Sequence, residues 1–197
     1  MKPVFKVEPK YRVTMLTRGE WTRGPGTPPA VKGLVWFTDG SRTVEGTVAG
    51  VYGQSADRRF SMSLGKHVTV FQAELYAILA CGHKTETQDR PEKCISICSE
   101  SQAALKVLQD AKTTSLLVRR CQKTLNDIST LHTVGLYWVP GQAGVRGNEM
   151  ATSSQGMLQR FVGPEHFLGV SRQNIRRKMK PWMENQHLVL WCAPCST

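Results

Sequence analysis

The chain has 197 residues, 40% of them hydrophobic, enough for one globular domain with a sizeable core and short appendages, and too few for two full domains. Its 26 Lys and Arg against 15 Asp and Glu leave a formal net charge of +11, which makes a polyanion the first partner to consider. No apolar run approaches the roughly 18 residues of a membrane span, and Met1-Lys2-Pro3-Val4 lacks the apolar stretch of a secretory signal. A soluble intracellular protein of the cytoplasm or nucleus, with no membrane contact, is the expectation.

Residues 1–33 carry seven basic and two acidic side chains and include Thr22-Arg23-Gly24-Pro25-Gly26-Thr27-Pro28-Pro29, a turn-rich stretch that resists regular structure. The segment reads as a basic linker. Leu34-Val35-Trp36-Phe37-Thr38-Asp39 is a short apolar run closed by a carboxylate and Gly40, the pattern of a buried central strand. Val48 to Tyr52 makes a second strand, and Phe60, Met62 and Leu64 alternate with Ser61 and Ser63 in a third, so an antiparallel meander is expected. Phe71, Leu75, Ile78, Leu79 and Gly82 then recur at three- and four-residue intervals, predicting an amphipathic helix over 71–84.

Cys94 to Cys98 follows as a fourth strand, and Ser99-Glu100-Ser101-Gln102 offers a capping box for the next helix. Val118, Cys121, Leu125 and Ile128 stripe a further helix, and Val134 to Val139 forms a fifth strand. Strands and helices in this order imply an α/β body, a mixed sheet covered by helices. The six cysteines have no framework spacing and fit reduced thiols. Cys192-Ala193-Pro194-Cys195 lacks the second ligand pair that a zinc site needs, and the five histidines show no ligand spacing.

Three carboxylates stand out by position: Asp39 at the end of the first strand, Glu74 one turn into the first helix, and Glu100 just after the fourth strand. If the first and fourth strands are neighbours the three converge, and hard oxygens at that density suit Mg²⁺ or Mn²⁺. Ordinary structural roles compete with this reading. Glu100 can favour a helix N-terminus through the dipole, Asp39 can cap a turn, and Glu74 can be a solvated helix residue.

The wording of the sequence goes further. Phe37-Thr38-Asp39-Gly40-Ser41, Phe71-Gln72-Ala73-Glu74-Leu75-Tyr76-Ala77, Cys98-Ser99-Glu100-Ser101-Gln102-Ala103-Ala104 and Trp138-Val139-Pro140-Gly141-Gln142-Ala143-Gly144-Val145-Arg146-Gly147-Asn148-Glu149 closely resemble, in order and spacing, the four motifs of the ribonuclease H type-1 family. The resemblance spans residues 34–161. The stretch from Gly163-Pro164-Glu165 through Gly169-Val170-Ser171 to Trp182 and His187 looks like the segment that follows this domain in polyproteins of non-LTR retrotransposons. The resemblance implies a ribonuclease H-like mixed five-stranded sheet, a three-stranded antiparallel meander plus parallel strands with flanking helices. It also implies hydrolysis of the RNA strand of an RNA–DNA hybrid by two Mg²⁺ or Mn²⁺ ions, and an ancestor in which the domain was linked to a reverse transcriptase in a longer polyprotein.

Carried over by motif, Asp39 would bridge the metals, Glu74 would hold one of them, and Glu100 occupies the place of an aspartate. Two places depart further. The family's Gly-His is Gly141-Gln142 here, and an amide does not titrate near neutral pH as imidazole does. The expected Ala-Asp is replaced within Ala151-Thr152-Ser153-Ser154-Gln155-Gly156, with Thr152 as the counterpart of the missing aspartate; Glu149 lies close by, but the family already has a glutamate at that place, so rescue by Glu149 is unpersuasive. Asp-to-Glu at Glu100 keeps the charge but adds a methylene, and Mg²⁺ tolerates little deviation from contacts near about 2.0–2.1 Å. A misplacement of that size can lower the rate on the order of a hundredfold.

The expectation is therefore a ribonuclease H-like domain that binds hybrid with nuclease activity reduced or lost. A non-catalytic nucleic-acid-binding module and a decayed retroelement fragment are the alternatives. Residues 162–197 read as a basic tail with a short helix from Ser171 to Pro181, on which Arg172, Arg176 and Lys180 share one side and Ile175, Met179 and Trp182 an apolar stripe. That side serves either as a nucleic-acid contact or as a solvated edge.

Overall fold

The structure is a computed structural model and describes residues 3–23, 27–54, 58–86, 92–141 and 143–153. In chain order the elements are β1 (Phe5–Lys6), β2 (Arg12–Thr14), α1 (Arg18–Thr22), β3 (Leu34–Arg42), β4 (Thr47–Gly53), β5 (Arg58–Ser63), α2 (Val70–Glu86), β6 (Cys94–Ser99), α3 (Gln102–Gln109), β7 (Lys112–Thr113), α4 (Leu116–Ile128), β8 (Thr133–Trp138) and α5 (Arg146–Ser153). The main sheet runs β2-β8-β6-β3-β4-β5, with β3, β4 and β5 as an antiparallel meander and β3, β6, β8 and β2 mutually parallel. This is the mixed α/β arrangement that the strand and helix order implies.

Two expectations are corrected by the first 33 residues. The sheet has six strands, because Arg12–Thr14 adds a parallel edge strand against Gly135–Tyr137. The segment is also not a linker throughout: Tyr11, Leu16, Trp21 and Val31 are buried, the Tyr11 hydroxyl donates to the Leu108 carbonyl at 2.7 Å, and the Trp21 indole donates to the Trp138 carbonyl at 2.9 Å. These anchors are single apolar residues spaced among charges, so they leave no periodicity to read. β1 pairs separately with β7.

Side chains alternate across a strand, and β3 divides its residues between two cores. Leu34 and Trp36 pack under α2, α3 and α4 with Ala49, Val51, Ile97, Leu105 and Leu125. Val35 and Phe37 face the other side with Trp21, Tyr52, Cys98, Val139 and Ala151, where α5 closes the layer. Gly147 permits that closure, since a Cβ there would lie 2.2 Å from a Phe37 ring carbon.

The predicted helix over 71–84 corresponds to α2, whose Leu75, Ile78 and Leu79 are buried as the stripe requires, but Phe71 is 38% exposed and does not belong to the buried stripe. α2 begins on a reciprocal box in which the Gln72 side-chain carbonyl accepts the Thr69 backbone N–H at 3.0 Å and the Thr69 hydroxyl accepts the Gln72 N–H at 3.2 Å. The cap of α3 is Ser101, which accepts from the Ala104 N–H at 3.2 Å; Ser99 is instead the last, fully buried residue of β6. Among the described residues no helix is long and apolar enough to cross a membrane, and Cys81, Cys94, Cys98 and Cys121 are free.

Candidate active site

The first two carboxylates meet because of a glycine. Asp39 lies on β3, and the next residue, Gly40, is so close to the first turn of α2 that a Cβ there would fall 2.8 Å from the Glu74 backbone nitrogen, 2.9 Å from its Cγ and 3.0 Å from the Val70 carbonyl oxygen. The helix therefore abuts the strand and projects Glu74 beside Asp39. The third carboxylate arrives through strand pairing: β6 is parallel to β3 with Thr38 opposite Ser99, so Glu100, the next residue, emerges beside Asp39. One carboxylate oxygen from each of Asp39, Glu74 and Glu100 lies within 4.8 Å of the others.

Glu100 is positioned from several directions. Its backbone carbonyl accepts the Trp138 indole N–H at 3.0 Å and the Gln102 N–H at 3.1 Å, and its Oε2 accepts the Asn148 side-chain N–H at 3.2 Å. Gly141 passes directly over the same oxygen, where a Cβ would sit 2.6 Å away. Asn148 is buried on α5, and its Oδ1 has no hydrogen-bond partner among the described residues.

Asp39 and Glu74 are 3% and 4% exposed, so ionising either without a counter-charge is unfavourable. Burial, then the Glu100 charge, pushes Asp39 up to about 6, partly opposed by hydrogen bonds from the Thr152 hydroxyl and the Gly40 N–H. Burial, then the Asp39 charge, pushes Glu74 up to about 8, opposed by the Gly40 N–H and by the Ser99 hydroxyl, which donates to Glu74 Oε2 at 3.4 Å. Three crowded carboxylates, two of them buried with their protonation held high, are a donor set of hard oxygens that fits a divalent cation such as Mg²⁺ or Mn²⁺.

Of the remaining sequence candidates, Thr152 stands on α5 with its hydroxyl donating to the Asn148 carbonyl at 3.1 Å and close enough to Asp39 to lower its pKa, where it brings a dipole and no formal charge. Glu149 is exposed on the first turn of α5 and is not part of the carboxylate cluster. Gln142, Arg172, Arg176 and Lys180 lie outside the described residues. Sequence reasoning missed the parts played by Asn148, Ser99 and Trp138. All three stand within the quoted motifs, but the motifs do not show that the Trp138 indole turns back to the Glu100 carbonyl or that Ser99 and Asn148 bond the carboxylates.

A family model described as RNase H matches residues 31–154. The chain belongs to the RNase H family. No curated protein matches the sequence. The RNase H match covers every carboxylate of the cluster together with Asn148 and Thr152, and membership supports a nuclease-like action on nucleic acid that uses divalent metal. It leaves Tyr11 and Trp21 outside the matched range although both are built into the same body.

Proposed function

We propose that this RNase H domain binds RNA–DNA hybrid and cleaves its RNA strand at the Asp39–Glu74–Glu100 cluster, with activity reduced by the residues at the family's other catalytic places. The observation that carries the reading is the junction of two buried carboxylates, Asp39 and Glu74, with a half-buried third, Glu100, and the Thr152 hydroxyl beside Asp39. Asp39, Glu74 and Glu100 would hold the cation, Mg²⁺ or Mn²⁺, and two such ions, when bound, activate water and stabilise the leaving oxygen of an in-line displacement.

The protein's own contribution is to hold and orient charge. Trp138 and Asn148 fix Glu100 at its carbonyl and at one carboxylate oxygen. Gly40 sets the approach of Glu74 to Asp39. Thr152, whose hydroxyl donates to the Asn148 carbonyl at 3.1 Å, stands beside Asp39 where a fourth carboxylate would add negative charge, so the cluster would neutralise and space a second cation poorly. Gln142, at the place of the family histidine, offers no group that titrates near neutral pH.

The same threonine favours a second reading, a module that grips nucleic acid without chemistry. The motifs and the stretch after Gly163 further support descent from a non-LTR retrotransposon polyprotein that also carried a reverse transcriptase. Incubating the 197-residue chain with end-labelled RNA–DNA hybrid and Mg²⁺ or Mn²⁺ separates the two. Slow cleavage abolished in Asp39→Asn supports the weak nuclease; binding with no cleavage in either metal supports the module.

A further inference from the structure

A second cleft lies along the edge of the sheet formed by β2 and β8. This cleft, of about 790 Å³, opens beside β2, β8 and β6, lined among others by Lys10, Arg12, Lys32, Ser96, Gly135 and Tyr137. It is on the same sheet face as Cys98 but toward the starts of β6 and β8. At about 3.3 Å per strand residue, Ser96 on β6 lies roughly 13 Å along the strand from Glu100, while Tyr137, level with Cys98, stands nearer to it.

The three cations come from separate places, and their backbones are fixed. The Lys10 N–H donates to Asn126 Oδ1 at 2.8 Å, and Arg12 is paired with Gly135 across β2 and β8. The Lys32 N–H donates to the Ser96 hydroxyl at 2.9 Å, which in turn donates to the Lys32 carbonyl at 2.8 Å. No carboxylate lines the cleft among the described residues. Three exposed cations along one cleft with no carboxylate among them make a locally positive wall that attracts an anion.

The same cleft has an aromatic wall. Tyr137 lies against the bare backbone of Gly135, where a Cβ would fall 2.6 Å from the ring and from its hydroxyl. That hydroxyl hydrogen-bonds Ser96, and Arg12 is close enough to act on its ionisation. Cations beside a half-buried ring are the two elements that unpaired nucleotides require, a phosphate contact and a stacking face. The volume falls in the range of about 300–1,000 Å³ that suits a ligand of nucleotide size.

We propose that this cleft is a second nucleic-acid site, which holds an unpaired nucleotide with its phosphate among Lys10, Arg12 and Lys32 and its base on Tyr137. The inference rests on the nucleic-acid reading above but not on cleavage.

The test is fluorescence anisotropy of a short labelled single-stranded oligonucleotide with the full chain, across a salt series. The cleft variant Lys10→Gln/Arg12→Gln/Lys32→Gln is compared with Lys106→Gln/Lys112→Gln/Lys123→Gln, which removes equal charge from exposed positions elsewhere. The cleft variant is expected to bind at least about tenfold more weakly and to lower the log–log salt slope by about 0.7, the value for one lost single-strand phosphate contact. Tyr137→Leu is expected to weaken binding by about fivefold or more while Tyr137→Phe does not, since the ring supplies the stacking.

Lys32→Gln alone, scored in the same way, replaces the triple variant if that variant melts early. Displacement of the oligonucleotide by submillimolar mononucleotide assigns the site to free nucleotides, and displacement by oligonucleotide only assigns it to a strand. Equal binding by the cleft and control variants, or by Tyr137→Leu and Tyr137→Phe, overturns the proposal. Hybrid cleavage followed in the same samples keeps the two readings apart: cleft-dependent binding without any cleavage sinks only the nuclease.

Discussion

The Trp138 indole N–H donates to the backbone carbonyl of Glu100 across 3.0 Å, tying the residue after β6 to the end of β8. The Trp138 carbonyl in turn accepts the Trp21 indole at 2.9 Å. Two hydrogen bonds thus connect a helix of the N-terminal segment to the third carboxylate of the cluster. Glu100 is held at its backbone by this chain and at its side chain by Asn148.

Trp138→Phe keeps an aromatic ring and removes the N–H. A hydrogen bond of this kind contributes about 0.5–1.5 kcal/mol to stability, so a small loss is expected in chemical denaturation. If the indole positions Glu100, hybrid cleavage falls through kcat with KM little changed, and the Mn²⁺ concentration needed for half-maximal rate rises. A variant that loses stability while its metal dependence stays that of the wild type would assign Trp138 to packing alone.

Gly40→Ala tests how Asp39 and Glu74 are brought together. The added methyl meets backbone of α2 rather than the end of a flexible side chain, and such overpacking destabilises by about 1–3 kcal/mol. The helix start is expected to move off β3, weakening Mn²⁺ binding in calorimetry together with the fall in Tm. Wild-type metal affinity in this variant would show that the close approach is unimportant to the site.

The raised carboxyls make a prediction about pH in metal-free protein. A group whose folded pKa exceeds its unfolded value binds more protons when folded, so stability falls as pH rises between the two values. For Asp39 at about 6 and Glu74 at about 8 that window runs from the ordinary carboxylate range to about pH 8. The neighbours within the cluster are Glu100, the hydroxyls of Thr152 and Ser99, and the Gly40 N–H. Glu74→Gln should flatten the decline and raise Tm at pH 8 by roughly 3 °C, as about 1 kcal/mol does in a protein of this size. Thermal melts in chelator at pH 5 and pH 8 check it, and an unchanged slope in the variant would remove Glu74 as its source.

The sheet body was legible because its signals are local. Leu34–Asp39 is a continuous apolar run, the meander alternates, and the stripe of Val118, Cys121, Leu125 and Ile128 matches the buried face of α4. The Asp39, Glu74 and Glu100 positions were legible through motifs, and their convergence followed once β3 and β6 were neighbours. The edge strand Arg12–Thr14 was not legible, since three residues in a charged context carry no period and their partner lies about 120 residues away in the chain. Phe71 misled because periodicity places a residue on a helix face but does not say where the sheet beneath it ends. Ser99 fitted a capping pattern, yet the last ladder pairs of β6 claim it for the strand and point its hydroxyl at Glu74.

The central claim is that the cluster is a genuine nuclease centre limited by its altered positions. Single-turnover cleavage of a labelled RNA–DNA hybrid in Mg²⁺, by the wild type and by Glu100→Asp/Gln142→His/Thr152→Asp, tests it most directly. The account predicts slow cleavage by the wild type and a gain on the order of a hundredfold or more in the restored variant, the scale that correct placement of catalytic groups supplies. It also predicts that Asp39→Asn abolishes cleavage in both backgrounds. Wild-type cleavage as fast as that of the restored variant, or cleavage that survives Asp39→Asn, would contradict it.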